Sequence, residues 1–281
     1  MGAGSQFLIS ACAAIAGCSA PAPTVPADLS TRDSGPEFRT AHTAVVGAEP
    51  KPSEPASPRR DLALPRGWAT LGAAAFEAAF ERWNPTREAG RLDAASLDEL
   101  RVALEGPSPL ALRAVLLLAA SGAPEAASLL LDRLERRIRS GVPDLPAVDV
   151  AAAAGLSRAS DPSGALARAL ADLANGRRPH PVLCVRVECA AASLALGRVD
   201  MTTFLAAILQ DGTEAALQLP ASARGAMGIE EMAFAQWRAS STLAQYAHIE
   251  NPYRPEASAV DRANAAAEIV RAVRAASTKG S

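Results

Sequence analysis

Between Val182 and Asp211 the apolar residues fall three and four positions apart. Val182, Val185, Cys189, Ala192 and Leu196 share one face of a predicted helix, and Met201, Phe204, Leu205 and Ile208 share one face of a second. Gly197 stands where the first helix must stop, because glycine tolerates the left-handed conformation of a helix C-terminus. Asp200 is placed to cap the second by accepting a hydrogen bond from a free N–H. The turn is short, so the two helices are predicted to lie antiparallel. Neither stripe is buried by the pair alone, and that need drives stacking of such units.

Copies of this pattern precede it. Leu130/Leu134, Leu166/Leu170 and Phe204/Ile208 recur at intervals of 36 and 38 residues, as do Val115, Ala151 and Cys189. The turns between them are rich in Gly, Asp and Pro: SGAPEA from Ser121, SDPSGA from Ser160 and GRVDMT from Gly197. The interval lies near the roughly 40 residues of armadillo and HEAT units. An Ala-rich first helix, a Leu-rich second helix and such turns resemble short bacterial HEAT repeats. Arg113 after Leu112 and Arg186 after Val185 resemble that family's Val-Arg step; Val148-Asp149 in the middle copy departs from it. The resemblance covers about residues 107–212. It implies an all-α fold, an α-solenoid of antiparallel helix pairs over 61–278, whose second helices line an inner curve. Arg133, Arg137, Arg168 and Asp172 are then expected to point outwards along one binding surface for a protein partner. The other reading of the same residues is a non-repetitive helical bundle. In that reading the arginines ending the helix after Pro124 complement its dipole, with Asp132 and Glu135 as partners.

On the N-terminal side, Trp68, Leu71, Ala75, Ala79 and Trp83 share a helical face that ends at Asn84-Pro85. Ser96 and Glu99 have capping-box spacing ahead of Leu97, Leu100 and Leu104. Such an aromatic-rich pair suits the end of a stack. A slot lined by Trp68 and Trp83 is the alternative. On the C-terminal side, Ile229, Met232, Ala233, Trp237, Ser240, Leu243, Ala244 and Ala247 mark a long helix, which Asn251–Pro255 breaks. A last helix carries Val260, Ala263, Ala267, Val270 and Val273 on one face. Trp237 is expected in the core and Tyr246 at the surface.

The first residues follow another logic. Phe7 to Gly17 is an apolar run of eleven residues, too short to span a bilayer as a helix but of signal-peptide length. Ile15-Ala16-Gly17-Cys18 resembles the lipobox of bacterial lipoprotein signals, although no Lys or Arg precedes the run. The resemblance implies a signal peptide over 1–17, lipid on Cys18 and attachment to the bilayer of a bacterial cell envelope, at the outer membrane or the periplasmic face of the inner one. Residues 18–60 hold eight prolines among Ala, Ser, Thr and Glu, with no apolar period. Such a stretch builds no core and is expected to be a disordered tether.

Composition sharpens these expectations. Apolar residues make up 49% of the 281 but aromatics only 4%; strand formers are sparse and Ala dominates, which favours an all-helical chain. A net charge of −2 lacks the basic face that nucleic-acid binding needs. There is no Gly-rich phosphate loop, nucleophile elbow or paired-Cys zinc spacing, so no catalytic residue, cofactor or metal is assigned. His180, Cys184 and Glu188 step by four, but Pro181 places His180 at the helix start and turns it away from the other two. Cys184 and Cys189 cannot pair within one helix, where their Cα atoms lie about 8 Å apart. The leading expectation is a non-enzymatic, lipid-anchored scaffold. The alternative is a cytoplasmic protein, or an enzyme or small-molecule binder with its site around Trp237, His248 and Glu230, where the repeats meet the C-terminal helices.

Overall fold

The computed structural model describes residues 61–83, 91–140, 146–210 and 229–279. The expected signal peptide, the tether and Cys18 lie outside them. The described residues are almost entirely helical, so the chain is all-α. In order they form β1 (Asp61–Leu62), α1 (Ala73–Trp83), β2 (Arg91–Leu92), α2 (Ala94–Leu104), α3 (Ser108–Ser121), α4 (Pro124–Ser140), α5 (Pro146–Leu156), α6 (Ala165–Asn175), α7 (Leu183–Ala195), α8 (Met201–Gln210), α9 (Ile229–Tyr246) and α10 (Ala259–Lys279). The two short strands pair in parallel, Asp61 with Arg91 and Leu62 with Leu92.

The helix ends follow local chemistry. Gly197, at φ +98°, closes α7 as expected: its N–H donates to Leu194 O, and Arg198 N–H donates back to Ser193 O. The end of α9 has the same bonding, with His248 at φ +55° in the left-handed position and Ile249 N–H donating to Ala244 O. Two expected caps are replaced. Asp93 rather than Ser96 caps α2, its carboxylate accepting from Ser96 N–H at 2.6 Å. That bond holds the Asp93 carboxyl below its ordinary range. Asp200 spends its carboxylate on a two-bond fork with Arg198, at 2.8 and 2.7 Å, because that guanidinium lies two residues away and offers charge as well as hydrogen bonds.

Helices α3, α5, α7 and α9 pack side by side in that order. On their flanks, α2 and α4 lie on α3, α4 on α5, α6 on α7, and α8 on both α7 and α9, while α10 closes against α8 and α9. The pairing differs from the expected unit: α7 packs more extensively on α6 and α5 than on its sequence partner α8. Leu130, Leu134, Leu170, Phe204, Ile208, Val115, Ala151 and Cys189 are all buried, and Leu166 is half-buried.

Two helices are buried on every side. Val148 to Leu156 of α5 and eleven residues of α7 are inaccessible, whereas the stripe read from sequence predicted one buried face. Each large apolar side chain so enclosed contributes about 1.5–3 kcal/mol. Small residues make the enclosure feasible. A Cβ on Gly155 would lie 2.6 Å from that of Ala119, so α3 and α5 meet at van der Waals contact.

The outer helices are rotated from the expected faces. α10 buries Ala265, Ala266, Ile269, Val270 and Val273, leaving Val260, Ala263 and Ala267 outside. α9 buries Ser240, Leu243 and Ala244 of the expected face together with Ala235, Ala239 and Thr242 beside it, leaving Trp237 39% exposed and Tyr246 half-buried. Alanine occurs on both sides of these helices, so the apolar pattern alone does not orient them. The described helices include none long and apolar enough to cross a membrane.

Candidate functional site

The most unusual chemistry in the molecule is ionic and internal. Arg133 of α4 is 1% exposed. Its Nε donates to Asp149 Oδ1 of α5 at 2.8 Å, and its Nη1 donates to the carbonyl of Leu104, the last residue of α2. In α7, Arg186 donates Nε–H to Ala174 O at 2.6 Å and Nη2–H to Asn175 Oδ1 at 3.3 Å, at the end of α6. Its guanidinium stands over the Phe204 ring, 5.4 Å from the centroid. Arg113 of α3 donates Nη1–H to Trp68 O and Ala69 O and stands over the Phe76 ring.

Two of these arginines, Arg133 and Arg186, do the same work. A helix leaves its last carbonyls without intrahelical donors. Arg133 satisfies one at the end of α2 and Arg186 one at the end of α6, each with a charged donor that also complements the negative end of the dipole. Burial holds the Arg186 guanidinium below its ordinary value, to about 10, so it remains charged at neutral pH.

A second ion pair, between buried Glu188 and half-buried Arg238, joins α7 to α9. Arg238 Nε donates to Glu188 Oε1 at 2.7 Å, with Glu188 2% exposed. Among the described residues the Glu188 Oε2 has no hydrogen-bond partner. Next to it, burial first and the neighbouring Glu188 and Asp149 charges second push the Cys189 thiol far up, so it is un-ionised and unreactive.

The expected surface residues separate. Arg133 is corrected: it is interior, because Asp149 and the Leu104 carbonyl compensate its desolvation where solvent would otherwise hold it outside. The side chain of Arg137 lies outside the described residues. Arg168 and Asp172 are both exposed on α6, four residues apart and therefore on one face. Asp172 also lies near enough to Arg198 that its charge adds to the Asp200 hydrogen bonds holding that guanidinium above its ordinary value. Arg168, Asp172, Arg198 and Asp200 thus stand near one another at α6 and the α7–α8 turn, one of several exposed charged groups among the described residues.

Two residues of the alternative site, Trp237 and His248, stand apart. Trp237 packs on Phe234, ring centroids 6.0 Å apart. His248 is exposed in the turn closing α9, about 16 Å further along the helix axis at 1.5 Å per residue. The Glu230 side chain lies outside the described residues. Trp68 and Trp83 have separate partners: Trp68 is buried and donates to Glu99 Oε1 at 2.8 Å, while Trp83 donates to Ala63 O at 2.6 Å. His180 is buried ahead of α7, its Nδ1 accepting from Val182 N–H at 3.2 Å, and Glu188 is committed to Arg238. Among the described residues no three His, Cys, Asp or Glu side chains are placed to hold a metal ion.

Sequence reasoning missed Asp149, Glu188 and Arg238. A signal was present for the first two. Val-Asp-Val at 148–150 and Val-Arg-Val-Glu-Cys at 185–189 set charges inside helices that are apolar on every side, and such charges must be interior and paired.

Searches of protein-family models, of curated proteins and of solved structures find no match for this chain.

Proposed function

We propose that the protein is a non-enzymatic binding module, built as a HEAT-like α-solenoid and held at a bacterial envelope membrane through lipid on Cys18. The observation that carries this reading is the division of charge. Interior Arg133, Asp149, Arg186 and Glu188 are engaged in closing helix ends and joining helices, which leaves them no hand for chemistry. Among the charges that reach solvent, Arg168 and Asp172 share one face of α6, and Arg198 with its partner Asp200 lies close to Asp172. A row of such groups on a rigid helix suits recognition of a folded protein partner. The side-by-side packing of α3, α5, α7 and α9 supports the solenoid reading.

Two measurements test the reading separately. Intact mass of detergent-extracted protein from the native host should give a species beginning at Cys18 with added acyl mass; an unprocessed, unlipidated chain removes the anchor. Cross-linking in the envelope should capture a defined partner, and Arg168→Glu with Asp172→Arg should abolish that capture while leaving the melting temperature unchanged. Capture unaffected by the charge reversal would move the interface away from α6.

A further inference from the structure

We propose that residues 63–83, from the end of β1 through α1, are a strap latched by Arg113, which detaches from the α2–α3 end while the rest of the bundle stays folded. This stands independently of the anchor and of the α6 interface. α1 packs only lightly on the other described helices, through Phe76, Phe80 and Trp83. Of its eleven residues only Phe76 is buried; Ala73, Ala74, Ala75, Glu77, Ala78, Glu81 and Arg82 all face solvent. Low contact density of this kind marks segments that open locally, below the free energy of global unfolding.

What holds the strap is concentrated at its near end. Trp68 is buried and donates Nε1–H to Glu99 of α2. Arg113 of α3 makes three contacts at once: hydrogen bonds to Trp68 O at 3.2 Å and Ala69 O at 3.1 Å, and its guanidinium 5.0 Å over the Phe76 ring. The far end is tied to the strap's own beginning, through Trp83 Nε1–H to Ala63 O. That internal bond makes α1 and the preceding turn move as one piece. The β1–β2 pair closes the base, and Leu92, buried next to it, keeps β2 on the core. Release would uncover Phe76, Phe80 and Trp83. They are spaced i, i+4, i+7, the pattern with which an amphipathic helix enters a partner's groove.

Hydrogen exchange on the full chain tests this. In the unaltered protein, amides of 68–83 should exchange together and faster than those of α5 and α7. Arg113→Met keeps the apolar stem and removes the latch. It should accelerate the whole of 68–83 by about tenfold, the effect of losing a charge-assisted hydrogen bond, with α5 and α7 unchanged. Phe76→Ala should act in the same direction. The strap is overturned if α1 exchanges as slowly as α7, if only its end residues accelerate, or if either variant speeds α7 equally or fails to fold.

Discussion

Arg133 and Asp149 meet at 2.8 Å in the interior, one from α4 and one from α5, with neither side chain reaching solvent. The pair joins two helices through charge, and Arg133 carries the contact on to the end of α2. Desolvating two charges offsets much of their attraction, so such a pair adds little net stability, yet losing one partner leaves a buried charge uncompensated. Asp149→Ala should therefore destabilise the protein by about 3–5 kcal/mol. The double variant Arg133→Met, Asp149→Leu should recover most of that loss, short of the cap on Leu104. Urea denaturation of the two variants checks it; a double variant no better than the single would mean that the carbonyl cap, rather than the pair, dominates.

Gly155 sets the distance between α3 and α5. Inside a helix Gly→Ala ordinarily gains up to about 1 kcal/mol. Here the added methyl would meet the Ala119 Cβ at 2.6 Å, and overpacking of a tight core costs about 1–3 kcal/mol. Gly155→Ala should lower stability, and adding Ala119→Gly should restore part of it by returning the space. A melting temperature raised by Gly155→Ala alone would show that the two helices separate freely.

His248 matters to the fold as a helix stop. It holds the left-handed position after α9, where Ile249 N–H returns to Ala244 O. A side chain in that conformation costs about 1–2 kcal/mol that glycine avoids, partly offset by glycine's freedom in the unfolded chain. His248→Gly should raise stability by roughly 0.5–1 kcal/mol, read from thermal melts. A loss of stability would mean that the imidazole makes a contact beyond its backbone role.

The helices were legible wherever periodicity met a stop signal. Gly197 ends α7 as the pattern requires, and the Asn251–Pro255 break separates α9 from α10. Faces were legible only where side chains differ in size. In α10 the bulk of Ile269 and Val270 chooses the buried side, and the alanines around them carry no preference. Trp237, the largest side chain of α9, was expected inside and stands half outside on Phe234. The charged site was the least legible. Arg133 and Arg168 look alike in a helical pattern, yet one is interior and the other faces solvent.

By itself the sequence determined that the chain is helical, where most helices stop, and which short apolar segments need cover, because propensity, turn chemistry and spacing act within a few residues. Tertiary structure decided which helices are neighbours, which face of an alanine-rich helix turns inward, and which arginines are buried. Those outcomes depend on groups distant in the chain. Arg133 is interior because α2 ends in a bare carbonyl at Leu104 and α5 presents Asp149, and no local pattern around Arg133 records either one.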